Sequence, residues 1–146
     1  MRCPAKPTSV ETNRRLTIGY LSADFREHAV GNLIAEWLPH HDHQAFRIIG
    51  YSLHRDDTGP LNQGIQRACD LYRNLQPLTH QQAAQQIADD GVEILVDLQG
   101  YTREARTEIL CWRPAPIQLA YLGYPATMGT DAIDYLLADD YVIPPE

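Results

Sequence analysis

The chain has 146 residues, enough for one domain that buries about two-thirds of the surface its unfolded form exposes, so it needs no disulfide or metal staple to fold. Apolar residues at 44% and charged residues at 21% fall in the ordinary globular range, which excludes dominant disorder. A formal net charge of −7, with 12 basic residues scattered along the chain, removes the electrostatic footing of a nucleic-acid binder.

Residues 1–13, "MRCPAKPTSVETN", read as a polar, proline-containing lead or linker; they hold no apolar core of the kind a signal peptide needs. No run anywhere approaches the roughly 20 apolar residues that span a bilayer, so no membrane contact is expected. Cys3, Cys69 and Cys111 are odd in number and lack a C-x-x-C pair, which argues against a disulfide framework and a zinc site and fits a reducing cytoplasm.

Residues 14–146 form the domain. "RLTIGYLSA" (15–23) has the β-branched and aromatic content of a buried strand. A helix from Gly31 follows, with Leu33, Ile34, Trp37 and Leu38 on one face and Pro39 as its stop. "FRIIGYSL" (46–53) is a second strand, and after the turn-rich "HRDDTGP" a helix carries Leu61, Ile65 and Ala68 at i, i+4 and i+7. "CDLYRNL" (69–75) is a short third strand. Thr79 and Gln82 then make a capping box for a helix that Gly91 ends. "VEILVDLQG" (92–100) is nearly continuous in apolar residues, as a central parallel strand should be. A helix from about Arg103, with Ala105, Ile109 and Trp112 facing inward, is expected to run to "RPAP". Strands over 117–125 and 132–139 complete the series. This alternation predicts an α/β fold, a doubly wound, mostly parallel, Rossmann-like sheet.

Such a sheet hosts many functions, so the site must be argued separately. No G-x-G-x-x-G follows the first strand and no Gly-Lys pair occurs, which excludes a dinucleotide fingerprint and a P-loop. Lys6 is the only lysine, so a receiver domain lacks its essential cation, and no G-x-S-x-G elbow exists. His40, His41, Asp42 and His43 have ligand chemistry but no spacing that converges them; histidines near a helix carboxyl terminus are the plainer reading, and no metal site is expected.

Three polar loops remain, all at the carboxyl edge of a parallel sheet, where ligands bind. Asp24 follows the first strand, with His28 four residues on, and a carboxylate near an imidazole can fix the tautomer a general base requires. On these residues alone, Asp24 as a turn cap and His28 as a solvated loop residue is the plainer reading. Leu122, Gly123, Tyr124 and Pro125 close the fifth strand, where Gly123 allows a backbone to approach a ligand and Pro125 stiffens the loop; simple turn chemistry is the alternative. The third loop carries Asp97, Gln99, Tyr101 and Arg106. Three such loops on one edge favour a cleft.

"GYLSADFREHAVGNL", "ILVDLQGYTREARTEIL" and "RPAPIQLAYLGYPATMG...DY" together resemble, in order and spacing, the first half of the catalytic region of the O-linked N-acetylglucosamine transferases. The resemblance runs from about Arg14 to the last residue. It implies one half of a glycosyltransferase-B architecture and an inverting transfer of N-acetylglucosamine from UDP-GlcNAc to Ser or Thr hydroxyls of proteins, without a metal or other cofactor. The family's S-x-D-F-x-x-H stretch falls on Ser22, Asp24, Phe25 and His28, which makes His28 and Asp24 the candidate catalytic pair. Its L-G-Y-P loop falls on Leu122 to Pro125 as a lining of the sugar pocket, with Tyr101 and Arg106 as further candidates for substrate binding.

The resemblance also implies partners: a carboxyl-terminal half that holds the uridine, a protein acceptor, and upstream helical repeats. The isolated chain is therefore expected to transfer no sugar. Ala29 and Val30 stand where some members have proline and a hydroxyl residue, and Ala126 stands where a second glycine occurs. These departures leave open a related transferase using another nucleotide sugar, such as GDP-fucose, and a non-catalytic interaction domain.

Overall fold

A computed structural model of the chain describes residues 14–55 and 58–144. The expected lead over 1–13 and Cys3 lie outside the described residues. Strands β1 (Leu16–Ser22), β2 (Phe46–Ser52), β3 (Leu71–Asn74), β4 (Ile94–Asp97), β5 (Ile117–Tyr121) and β6 (Tyr135–Leu137) alternate with helices α1 (Ala29–Trp37), α2 (Pro60–Ala68), α3 (His80–Asp89) and α4 (Glu108–Cys111). They form one six-stranded sheet in the order β3-β2-β1-β4-β5-β6, and every pairing is parallel. The doubly wound, Rossmann-like expectation holds.

Alternating side chains divide the core into two layers, because successive residues of a strand face opposite sides of the sheet. Tyr20, Ile48 and Val96 meet Ile34, Leu38 and Ile65 of the α1–α2 layer. Leu21, Ile49 and Leu95 meet Ala83, Ile87, Ile109 and Leu110 of the α3–α4 layer. Both faces of the central strands are covered, which is why β4 reads as an unbroken apolar run.

Several elements differ from their predicted form. Helix α1 begins at Ala29, with His28 as its N-cap; Ile34 and Leu38 are buried as expected, Leu33 is 48% exposed, and Gly31 joins the buried face. The helix expected from Arg103 is reduced to the single turn of α4, and Trp112 is 51% exposed rather than inward. The preceding residues are committed to a loop stitched by its own side chains. Strand β5 stops at Tyr121 because Leu122 takes a left-handed φ of 71°. Strand β6 keeps only three residues, because Ala132 and Asp134 are drawn into hydrogen bonds with Arg113 and Gln118. Asp134 thereby anchors the segment before β6. Tyr135 and Leu137 of this edge strand, and Tyr141 beyond it, stay exposed.

His41 and His43 diverge, as adjacent positions at a helix end must. His41 lies against Tyr20, Trp37 and Phe46, whereas His43 reaches Asp70 at 3.0 Å. Among the described residues, no three His, Cys, Asp or Glu side chains are grouped to hold a metal ion. No helix among them is long and apolar enough to cross a membrane.

Candidate functional site

The strand order reverses direction between β1 and β4: from β1 the chain steps outward through β2 and β3, then returns to lay β4 on the other side. In open parallel sheets the crevice beyond the carboxyl ends at such a switch point is the ligand site. The loop after β1 and the loop after β4 flank it, and the loop after β5 adjoins the latter. Topology alone thus brings the three polar loops to one edge.

The loop after β1 is pinned by alternation. Phe25 is buried in the α1–α2 layer and its carbonyl accepts a bond from Asn62 Nδ2, while Asp24 is drawn under the opposite side at 5% exposure. Arg26 donates to Asp24 Oδ1 at 3.1 Å and to the Ala23 carbonyl at 3.3 Å. The imidazole of His28, by contrast, is 42% exposed and faces outward. Its Nδ1 accepts the Val30 N–H at 3.2 Å, capping α1, and lies 3.5 Å from Asp24 Oδ2. The carboxylate–imidazole pair is therefore side by side, with the cap and the carboxylate competing for one ring nitrogen.

Gln99 joins this loop to the next. Its Oε1 accepts the Ser22 hydroxyl at 3.0 Å and the Ala23 N–H at 2.9 Å. Its Nε2 donates to Asp24 Oδ2 at 3.1 Å, Thr102 Oγ1 at 2.9 Å and the Arg103 carbonyl at 3.0 Å. Beneath it, the buried Asp97 carboxylate accepts the backbone N–H groups of Gln99 and Gly100. Burial pushes the Asp97 carboxyl up from its ordinary range, and those two bonds act against the shift.

The loop after β5 is fitted against the loop after β4 at four points. A Cβ on Gly123 would fall on the Leu98 carbonyl, so only glycine allows the two backbones this close. Tyr124 seats its Cβ against Gly100, and its ring meets Tyr101 edge-on with centroids 5.7 Å apart. Tyr101, 53% exposed, donates its hydroxyl to the Met128 carbonyl at 2.8 Å. Leu122 is the central residue of a γ-turn closed by Gly123 N–H on the Tyr121 carbonyl at 2.9 Å, a rare and strained turn that presents the backbone of 122–123 at the sheet edge. Pro125 follows, exposed.

Arg106 is set apart from the others. Its guanidinium donates to the carbonyls of Leu75 at 3.0 Å and Leu78 at 2.7 Å, beside a groove lined by Leu53, Gln76, Thr79 and His80. There it ties the loop after β4 to the loop before α3, and partial burial pulls its pKa down.

Two participants carried no sequence signal. Glu104, at a left-handed φ of 66°, accepts from His54 Nδ1 at 3.0 Å and lies 3.8 Å from Arg26. A chain of polar contacts thus runs His54, Glu104, Arg26, Asp24, His28 along the rim, with the Arg26 guanidinium between two carboxylates. A non-glycine residue with positive φ is invisible to pattern reading, and His54 looked like turn chemistry. Gln99 was legible only as a polar rim residue; its linking role required the strand order.

A six-stranded parallel sheet in this order, with a buried carboxylate and an open imidazole at its switch point, belongs to the class of doubly wound α/β folds. The family model for glycosyl transferase family 41 matches residues 4–146, and the chain belongs to that family. It is 36% identical over 131 residues to the SEC protein of Arabidopsis thaliana, described as a probable UDP-N-acetylglucosamine–peptide N-acetylglucosaminyltransferase, covering 90% of this chain and 13% of that protein. The UDP-N-acetylglucosamine–peptide N-acetylglucosaminyltransferase of Caenorhabditis elegans is 36% identical over 137 residues, covering 93% of this chain and 12% of its own length. Among solved structures, a lysine-to-methionine variant of the Thermobaculum terrenum O-GlcNAc transferase superposes with a TM-score of 0.89 at 34% identity, covering 97% of this chain and 27% of that one. The chain thus spans a small part of each relative.

Proposed function

We propose that this chain forms the amino-terminal half of the catalytic region of a glycosyltransferase that moves N-acetylglucosamine from UDP-GlcNAc to Ser or Thr hydroxyls of proteins, in a glycosyltransferase-B architecture. The observation that carries this reading is the buried Asp24 beside the outward-facing His28, at the sheet's switch point, in a member of family 41. The apolar side chains left exposed along and beyond β6, Tyr135, Leu137 and Tyr141, offer a surface for a carboxyl-terminal half. That half holds the uridine diphosphate, and upstream helical repeats present the acceptor protein. The assembled enzyme works in the cytoplasm and needs no metal.

The chemistry asks three things of the site. A serine hydroxyl is a poor nucleophile at neutral pH, and a positioned base is worth roughly 10²- to 10⁴-fold. More comes from holding hydroxyl and anomeric carbon in line and from stabilising the departing diphosphate. His28 serves the first. With Nδ1 accepting the Val30 N–H, the neutral ring carries its proton on Nε2 and meets an oxygen as a donor. When Nδ1 instead holds the proton and turns it to Asp24 Oδ2, 3.5 Å away, Nε2 becomes the acceptor a base needs. The backbone of Leu122 and Gly123, with Tyr124, Pro125 and Tyr101, forms the wall against which the sugar lies. Arg106 acts on substrate only by holding the Tyr101 loop in place.

The test is transfer by the longer protein. With UDP-GlcNAc and a Ser/Thr peptide it should form product in the presence of a chelator, and the isolated chain should form none. His28→Ala should lower kcat by roughly 10²- to 10⁴-fold and, through loss of the cap, lower stability by about 1 kcal/mol. A panel of nucleotide sugars in which only GDP-fucose gives product would replace the donor, and unchanged turnover in His28→Ala would remove His28 from the chemistry. No product with any donor would leave a non-catalytic interaction domain.

A further inference from the structure

We propose that Gln99 is a positioning residue for the transfer reaction: its carboxamide holds Asp24 as an ionised acceptor and sets the direction of its Oδ2 toward His28. This rests on the functional reading above, but its first consequence concerns this chain alone.

The orientation of the Gln99 amide is fixed by its neighbours. A backbone N–H can only donate, so the atom that receives the Ala23 N–H must be the carbonyl oxygen. Ser22 Oγ already accepts from the Asp24 N–H and spends its own proton on the same oxygen. The other end of the amide is therefore the NH₂ group. It faces three acceptors: Asp24 Oδ2, the Arg103 backbone carbonyl, and Thr102 Oγ1, whose proton is given to the backbone carbonyl of Gln99 at 2.8 Å. A flipped amide would confront donor with donor at one end and acceptor with acceptor at the other.

That arrangement dictates the state of Asp24. A proton on Oδ1 would point at the Arg26 guanidinium, 3.1 Å away, and on Oδ2 the Gln99 NH₂ takes one side, leaving only the direction of His28 Nδ1, 3.5 Å away, where the imidazole is the stronger base. Buried as it is, Asp24 has little water to replace these partners. The charged and titratable groups around the pair are Arg26 and His28 on the loop after β1, Asp97 under the Gln99 N–H, and Glu104 through Arg26. Arg26 and Gln99 hold one oxygen each. The oxygen held by Gln99 is the one that faces His28 Nδ1.

Gln99→Glu is the informative change because it keeps the shape and replaces the NH₂ group by a second carboxylate oxygen, about 3.1 Å from Asp24 Oδ2. Two carboxylates so close hold one proton between them. Carboxyl carbon NMR of this chain should show a shared proton in Gln99→Glu that persists to higher pH, by about one pH unit or more, with no such event in the unaltered chain. In the longer protein, kcat of Gln99→Glu should fall roughly tenfold or more at neutral pH, with the acid limb of the pH–rate profile moved upward and KM for the nucleotide sugar little changed. Gln99→Met, which removes the NH₂ donor without adding a carboxylate, should lower kcat and move that limb upward by less than Gln99→Glu does.

If Gln99→Glu fails to fold, the exchange Asp24→Asn with Gln99→Glu decides, because it returns one amide and one carboxylate to the same contact. Restored folding supports the assignment and continued failure overturns it. An unaltered titration and pH profile in a folded Gln99→Glu protein would also overturn it. Absence of transfer by the unaltered longer protein would instead count against the functional reading, and the NMR titration would still judge Gln99.

Discussion

Gly123 has no side chain because the carbonyl of Leu98 occupies the space a Cβ would take. Gly123→Ala must therefore push the loop after β5 off the loop after β4. Chemical denaturation should show a loss of about 1–3 kcal/mol, and KM for the nucleotide sugar should rise in the longer protein; a variant of native stability and unchanged KM would show that this contact does not shape the wall. The motif L-G-Y-P announced a tight backbone feature, but the left-handed residue is Leu122, not the glycine beside it. Sequence reasoning assigns positive φ to glycine on steric grounds, and at Leu122 the γ-turn and the neighbouring contacts outweigh a cost of roughly 1–2 kcal/mol. Asp24 and His28 were legible because unlike polar groups crowded a short join between strand and helix. Their spacing from one another was not, since it depends on Phe25 being buried and on His28 serving as a cap.

Among the elements, α3 was legible at both ends and α4 only at its last turn, where "RPAP" stops it. Thr79 Oγ1 accepts the Gln82 N–H at 3.2 Å and Gln82 Oε1 accepts the Thr79 N–H at 3.0 Å, a reciprocal pair whose signature lies within four residues of sequence. Thr79→Ala should cost about 1 kcal/mol in thermal or urea unfolding, and Thr79→Ser should restore most of it. Equal losses in both variants would show that the threonine methyl, not the cap, matters. The stretch from Arg103 to Trp112 has helical spacing too, yet the residues before Glu108 fold as a loop. Local side-chain bonds from Gln99 and Thr102, and Glu104 at φ 66°, give that backbone an alternative to the helix. Periodicity cannot see such competition, because it counts apolar spacing and not the bonds these polar side chains make to backbone three and four residues away.

The whole molecule follows from alternation: strands followed by helices, with continuous apolar runs in the middle, can bury both sheet faces only as a parallel α/β unit. What alternation leaves out is strand order, and with it which loops meet. The edge remote from the site has its own consequence for pH. Burial acts against the charge on Asp70, but bonds from the Ile48 N–H, Arg15 and His43 outweigh it and hold the carboxyl down at about 2, against 3.8 as its ordinary value. The stability it contributes is present above pH 3.8 and is lost as pH falls through about 2. His41 is pushed below its ordinary value of 6.5 by burial, with the bond from its ring to the Leu38 carbonyl acting the other way. Because the unfolded chain takes up this proton first, stability is full above pH 6.5 and declines as pH drops toward the folded value. Urea unfolding across pH 8 to 2 should show both limbs. His41→Gln, which keeps an acceptor for the Tyr20 hydroxyl, should flatten the upper one, and Asp70→Asn should abolish the lower. Unaltered slopes in these variants would reassign them to other groups.

The single amide at position 99 ends the independence of the two jaws it touches. Prising the segment after β1 from the segment after β4 would strand a buried carboxylate, a buried hydroxyl and a main-chain N–H at once, with little solvent to receive them. They must travel as one rigid lip, so whatever nudges Tyr101 or Thr102 is felt at the imidazole of His28.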